Sequence, residues 1–486
     1  MNKLIISSAV ALLATCCTQR PTDVVVSEAL PPIYPDYVGV TIPVDIAPLN
    51  FCVDSAERMD VTLVGEDGSS LNVNAQFADF DIDEWKTLVA ANVGGKLSVK
   101  TTVLRNGRWT EYAPFDIFVS ADSLSDFGVV YRKLAPGYET FSDIGIFQRD
   151  IHTFKEYPIV DHTAAPGECI NCHAFKGTDP NYFQLHFRGM HGATLIQHNG
   201  IRRWLDTKTD STIANCMYPY WHPSGNYCAY SLNLVHQRFF TCGEDYIDVF
   251  DRASDAVILD VRTNELILAD IFRTPDLESF PVFSADGKTI YYTTSKNYTD
   301  PSDFEKLRYD LCRVSFDPET GKIGTHVDTI MKVSNINKSI AFPSPSHDGK
   351  FLLYCYSDHG VFPINCRDAD LWLYNISTGD TFPLDAVNSN EAESYHSWST
   401  NSRWIVFCSR RDDGLYSRLF IAHIDADGRP GKAFVLPQRN PLEYYMRSHH
   451  AYNVPEFVSR KVEYDAHEGF RELFYDKREG VRPIRK

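Results

Sequence analysis

Four stretches of this chain repeat one another, and a repeat restricts the fold more than any other feature of a sequence. They are YPYWHPSGNYCAYS from Tyr218, FPVFSADGKTIYYTTS from Phe280, FPSPSHDGKFLLYCYS from Phe342 and YHSWSTNSRWIVFCS from Tyr395. Each opens on an aromatic residue, in three cases followed by proline. A tight turn rich in Asp, Asn, Ser and Gly comes next, and then a β run. The turn residues Gly225, Gly287, Gly349 and Ser402 are spaced 62, 62 and 53 apart, and the fifth residue after each is aromatic: Tyr230, Tyr292, Tyr354 and Phe407. Behind each lies a second pair of strand-like runs around a turn, such as VILDVRTNELIL and LWLYNISTGDTFPL. Four strands per repeat describe one propeller blade, which buries its faces only by stacking in a ring. CHAFKGTDPNYFQLHF reads as a degenerate first opening and HHAYNVPEF, from His449, as the start of a last one. The count is then six, with five or seven left open at the ends.

The expected fold class is all-β: a β-sandwich over 30–135, a connector over 136–168, a propeller over 169–460 and a tail over 461–486. Short alternating runs such as MDVTLVG, KLSVKTTVL and FDIFVSA, separated by turn signals, carry the sandwich reading. The acidic stretch ADFDIDEW reads as a solvated loop and RRDDG as a charged blade turn. Cys355 and Cys408 share one offset within their repeats and read as small core residues. No G-x-S-x-G elbow occurs, and little chain follows the last repeat, so a serine peptidase domain is excluded.

The N-terminus points to export. MNKLIISSAVALLATCC has a lysine, then an apolar run from Leu4 to Ala14, too short to span a bilayer. It ends in Leu13-Ala14-Thr15-Cys16, a lipobox-like site, so 1–16 reads as a lipoprotein signal peptide and 17–29 as a tether. Cys16 is the expected lipidation site, with Cys17 as the fallback and a plain secretory signal as the alternative. The chain would then be lipid-anchored in a bacterial cell envelope, on the periplasmic side or the cell surface. A net charge of −17 argues against nucleic acid as a partner.

GECINCHAF, at 167–175, carries a C-x-x-C-H. Two cysteines about one helical turn apart can each take a thioether bond to a porphyrin. The histidine behind the second then lies under the iron. Cys169 and Cys172 would hold a covalent haem c, and His173 would be the proximal iron ligand. The competing readings are a local disulfide, a thiol redox pair and zinc. No thioredoxin-like pattern or second C-x-x-C supports the last two. Candidates for the distal ligand are His396 or His186, with Met190 weaker and His191 nearby. His222, His347 and His449 occupy what read as similar repeat openings.

The repeats resemble those of the TolB family, on the F-P-x-F-S-x-D-G-K pattern that is most complete at Phe280–Lys288. The order lipobox, β-domain, C-x-x-C-H, propeller resembles a group of TolB-like lipoproteins of Bacteroidetes. CINCHAF, HFRG and SYHSWSTNSRWIVF look like that group's recurring segments. The resemblance implies a c-type haem at the C-x-x-C-H. TolB itself lacks this element, so its partners are not carried over.

The function expected is a membrane-anchored monohaem c-type cytochrome on a propeller, passing electrons to a redox partner in the envelope. The alternative is a propeller scaffold that binds an envelope protein or glycan, with the C-x-x-C-H structural. A haem enzyme with an open iron position, such as a peroxidase, is a third option.

Overall fold

A computed structural model describes residues 20–135, 143–239, 241, 247–298, 300–358, 360–475 and 478–486. The expected signal peptide and lipidation site, Cys16, lie outside the described residues. Among the described residues, no helix is long and apolar enough to cross a membrane.

Six sheets form the blades of a propeller. Blade 1 runs from Cys169–Lys176 through Asp179–Arg188 and Ala193–His198 to Ile201–Asp206. Blade 2 opens with Met217–Trp221, blade 3 with Leu277–Phe283, blade 4 with Ser339–Pro345 and blade 5 with Glu393–Trp398. Within a blade the strands are antiparallel neighbours in chain order. The sixth blade is split. Gly128–Leu134, Ile144–Asp150 and Glu156–Asp161 form three of its strands, and Ala451–Val458 pairs with Gly128–Leu134 as the inner strand that closes the ring.

The split blade moves the expected boundaries. Residues 128–134 and 144–161, read as the end of the sandwich and a connector, belong to the propeller. Their own repeat signature is absent because the inner strand that carries it lies some 300 residues downstream. The expected tail is also structured. A helix, Ala466–Tyr475, is followed by Glu479–Gly480 and Arg482–Arg485, which add parallel outer strands to blades 1 and 2.

The inner strand and its turn explain why the repeat is so visible. In blade 3 the Ser284 and Asp286 side chains bond each other, and both accept main-chain N–H groups across the turn. Gly287 takes φ +72°, with Gly225, Gly349 and Ser402 left-handed at the same place.

Before the propeller, seven strands form one sheet, and Ile33–Tyr34 with Cys52–Val53 make a separate two-stranded ladder. The sandwich expectation also missed a helix, Ile82–Ala91. ADFDIDEW is its start rather than a loop. Asp81 caps it by accepting from the Asp83 and Glu84 amides, and Trp85 is buried. This domain packs on the ring. Trp404 of blade 5 donates its indole N–H to Asp122 and Ser123 carbonyls, and His423 meets the Asp122 carboxylate at 2.8 Å.

Candidate functional site

Every inner strand carries one residue in the left-handed region: Cys172, Tyr218, Phe280, Phe342, Tyr395 and Val454, with φ between 46° and 53°. Pairing with the next strand slips at that point in each blade. The slip is a β-bulge, and it leaves the following residue without a ladder partner. Proline, which has no N–H to offer, is therefore acceptable there. Pro219, Pro281, Pro343 and Pro455 occupy that place, whereas blades 1 and 5 have His173 and His396.

The left-handed residues converge on the ring axis. Tyr218, Phe280, Phe342 and Tyr395 pack ring on ring, with successive centroids 5.0, 4.2 and 5.0 Å apart. Cys172 thus stands where four other blades place an aromatic plug. This replaces the helical turn expected for the C-x-x-C-H. The motif is the first half of a blade strand, held by the pairs Cys169↔Arg188, Ile170↔Phe187 and Asn171↔His186.

Cys169 and Cys172 are free thiols, so the local disulfide does not form. Burial raises the Cys169 pKa, opposed by the nearby Arg132 and Arg188 guanidinium groups. The His173 side chain is 1% exposed, and its Nε2 lies 3.4 Å from Oε2 of Glu456 on the closing strand. Neither ring nitrogen makes a well-formed hydrogen bond, although main-chain groups of Val130 and Val454 lie against the ring. Burial, and secondarily Arg132, lowers the His173 pKa to about 3. Burial pushes Glu456 up to about 8, against a bond from the Phe175 amide. Near neutral pH the two face each other as a neutral imidazole and a carboxylic acid, not as an ion pair. Sequence reasoning missed Glu456, whose signal was its place in VPEF, two residues after the left-handed position.

The distal candidates lie elsewhere. On Asp179–Arg188, Phe183, Leu185 and Phe187 pack with Val130 and Ile146 of the closing blade. The alternate residues face blade 2, where Gln184 reaches Cys228 and Arg188 lies against the Met217 sulfur. His186 is one of these. It is 4% exposed, with Nδ1 2.9 Å from Thr194 Oγ1 and Nε2 unpartnered. Burial and Arg188 lower its pKa to about 3. His173 and His186 therefore face opposite sides of blade 1. His396 belongs to blade 5 and turns to blade 4, with Nε2 3.2 Å from the Leu353 carbonyl and Nδ1 3.7 Å from Cys355 Sγ. Met190 is 88% exposed, and His191 pairs with Glu168 at 2.8 Å.

His222, His347 and His449 do not share the His173 position. His222 follows its inner strand and reaches the Gly287 carbonyl of the next blade, His347 lies in the turn of blade 4, and His449 precedes the closing strand. Among the described residues, no three His, Cys, Asp or Glu side chains are grouped closely enough to hold a metal ion. Cys355 and Cys408 are fully buried, as expected.

One open cleft adjoins this region. It measures about 650 Å³ and lies between blades 1 and 2, lined by His186, Arg188, Met217, Asn233 and Arg252 among others.

No protein-family model and no curated protein matches the chain. Among solved structures it is similar to an oligogalacturonate lyase in complex with manganese, at 11% identity over 62% of this chain and 72% of that one, with a TM-score of 0.35. Prolyl oligopeptidase B from Galerina marginata gives 11% identity and a TM-score of 0.36; 60% of this chain covers only 41% of that one. The β-propeller domain of Cps50 (Swd1) from Myceliophteria thermophila gives 8%, 68%, 94% and 0.31 for the same four quantities. No function passes to this chain from any of them. The architecture stands on its own sheets: this is a six-bladed propeller.

Proposed function

We propose that this protein is a c-type cytochrome of the cell envelope, with haem joined to Cys169 and Cys172 and its iron held by His173. The observation that carries this reading is the His173 imidazole, which is neutral, buried and without a well-formed hydrogen bond at either nitrogen, directly behind two unpaired thiols. A buried polar side chain left unpaired costs about 1–3 kcal/mol, and ligation would offset that cost. The haem would supply one-electron chemistry. Arg132, beside Cys169 and His173, would balance negative charge. The propeller would set burial and present a docking face for a redox partner, and a lipid on Cys16 would hold the chain to a membrane.

The strand as it stands does not turn both thiols and the imidazole to one face. Cys169 sits opposite Arg188 on the blade 2 side, Cys172 faces the axis and His173 faces the closing blade. Seating one macrocycle on all three therefore releases Cys169–Asn171 from the blade ladder.

The deciding experiment is a haem stain and an intact mass of the mature chain, purified from a host with haem maturation. Covalent colour and added macrocycle mass support the reading. A colourless chain of polypeptide and lipid mass alone refutes it and leaves the propeller as a binding scaffold. The open cleft between blades 1 and 2, which none of the three motif residues lines, favours that second reading.

A further inference from the structure

The cleft between blades 1 and 2 has the chemistry of a built site. Two of its lining side chains are almost fully buried yet incompletely bonded. His186, 4% exposed, uses Nδ1 on Thr194 and leaves Nε2 without a partner. Asn233, 3% exposed, donates through Nδ2 to Asp251 at 2.9 Å and leaves Oδ1 without one. Buried polar atoms of this kind usually take a partner, from ordered water or from a bound molecule.

Two cations line the same space. Arg188 is half-buried and Arg252 exposed, and neither has a carboxylate partner among the described residues. Unneutralised guanidinium groups beside one cleft stand out in a chain of net charge −17, and Arg is well suited to planar oxyanions. Met217, Leu234 and Val235 add apolar wall. The volume, about 650 Å³, suits a small organic molecule.

We propose that this cleft binds a hydroxylated organic carboxylate, of the acidic-sugar class. Arg188 takes the carboxylate, with Arg252 at the rim. Hydroxyl groups bond Asn233 Oδ1 and His186 Nε2, and the apolar wall receives the carbon face. Cys172 and His173 point away from the site, but Cys169 pairs with Arg188 on its side, so binding is tested on chain made without haem maturation.

The test is calorimetry of the mature chain with D-glucuronate, D-glucose and inorganic phosphate. Saturable glucuronate binding, at least tenfold tighter than either of the others, is expected. Arg188→Gln should weaken it at least tenfold, with an unchanged melting curve to show an intact fold. Asn233→Asp, which sets a carboxylate against the ligand, should act likewise. No saturable binding at millimolar glucuronate overturns the proposal, as does equal binding of glucose or phosphate, or full binding by folded Arg188→Gln protein. Because haem-free chain is titrated, the two proposals fail separately.

Discussion

His173 Nε2 and Glu456 Oε2 approach to 3.4 Å between blade 1 and the closing strand, and burial keeps both side chains uncharged near neutral pH. Their pKa shifts act on stability in opposite pH ranges. Glu456 rises from 4.5 to about 8, so the folded chain holds a proton that the unfolded chain has lost. Its contribution is complete at low pH and is lost as pH rises from 4.5 through 8. His173 falls from 6.5 to about 3, so stability is lost as pH drops below 6.5.

Replacing Glu456 by Gln removes the first dependence and keeps the shape. In chain made without haem maturation, Glu456→Gln should match the parent at pH 5. At pH 8.5 it should be more stable, by on the order of 4 kcal/mol. Urea titrations at the two pH values measure this, and equal differences at both would contradict the neutral pair.

Haem attachment should loosen one short piece of ladder. Amide exchange at Cys169 and Asn171 is expected to be faster in haem-loaded chain than in the Cys169→Ala, Cys172→Ala double variant. The rest of blade 1 should be unchanged. Exchange that stays slow in a loaded sample would show that the macrocycle sits on the strand as drawn.

The aromatic plug should be a major source of ring stability. Phe280 is buried and packs on Tyr218 and Phe342. Phe280→Ala should cost about 3–5 kcal/mol in chemical denaturation. The same change at Phe474, which is 54% exposed, should cost less than about 0.5 kcal/mol.

Removing residues 478–486 should uncover the outer edges of blades 1 and 2, where Leu205↔Glu479 and Leu266↔Pro483 now pair. Bare strand edges invite pairing with other chains. The truncated protein should melt several degrees lower and elute partly as oligomers in size-exclusion chromatography.

Much of the ring was legible because each inner strand and its turn obey the same local rules. The left-handed aromatic, the proline at the bulge and the Ser-Asp-Gly turn all fall within about ten residues. What was hidden depended on distance along the chain. Gly128–Leu134 looks like any strand until Ala451–Val458 pairs with it. The helix at Ile82–Ala91 was masked by a carboxylate-rich start that is in fact its cap. The C-x-x-C-H was legible as a motif but not as a strand. Only the alignment of Cys172 and His173 with Phe280 and Pro281 shows that the ring makes its own demands on those positions. The faces of His186 and His396 were invisible, because repeat offset says nothing about which neighbour a side chain meets.

The divided sixth blade also governs the order of assembly. A chain made from its N-terminus presents residues 128–161 early, but their central partner arrives only with Ala451–Val458. Until then the growing arc remains an unsealed horseshoe. Any enzyme that modifies its axial residues has the whole of that interval to reach them, and loses access when the final clasp snaps shut.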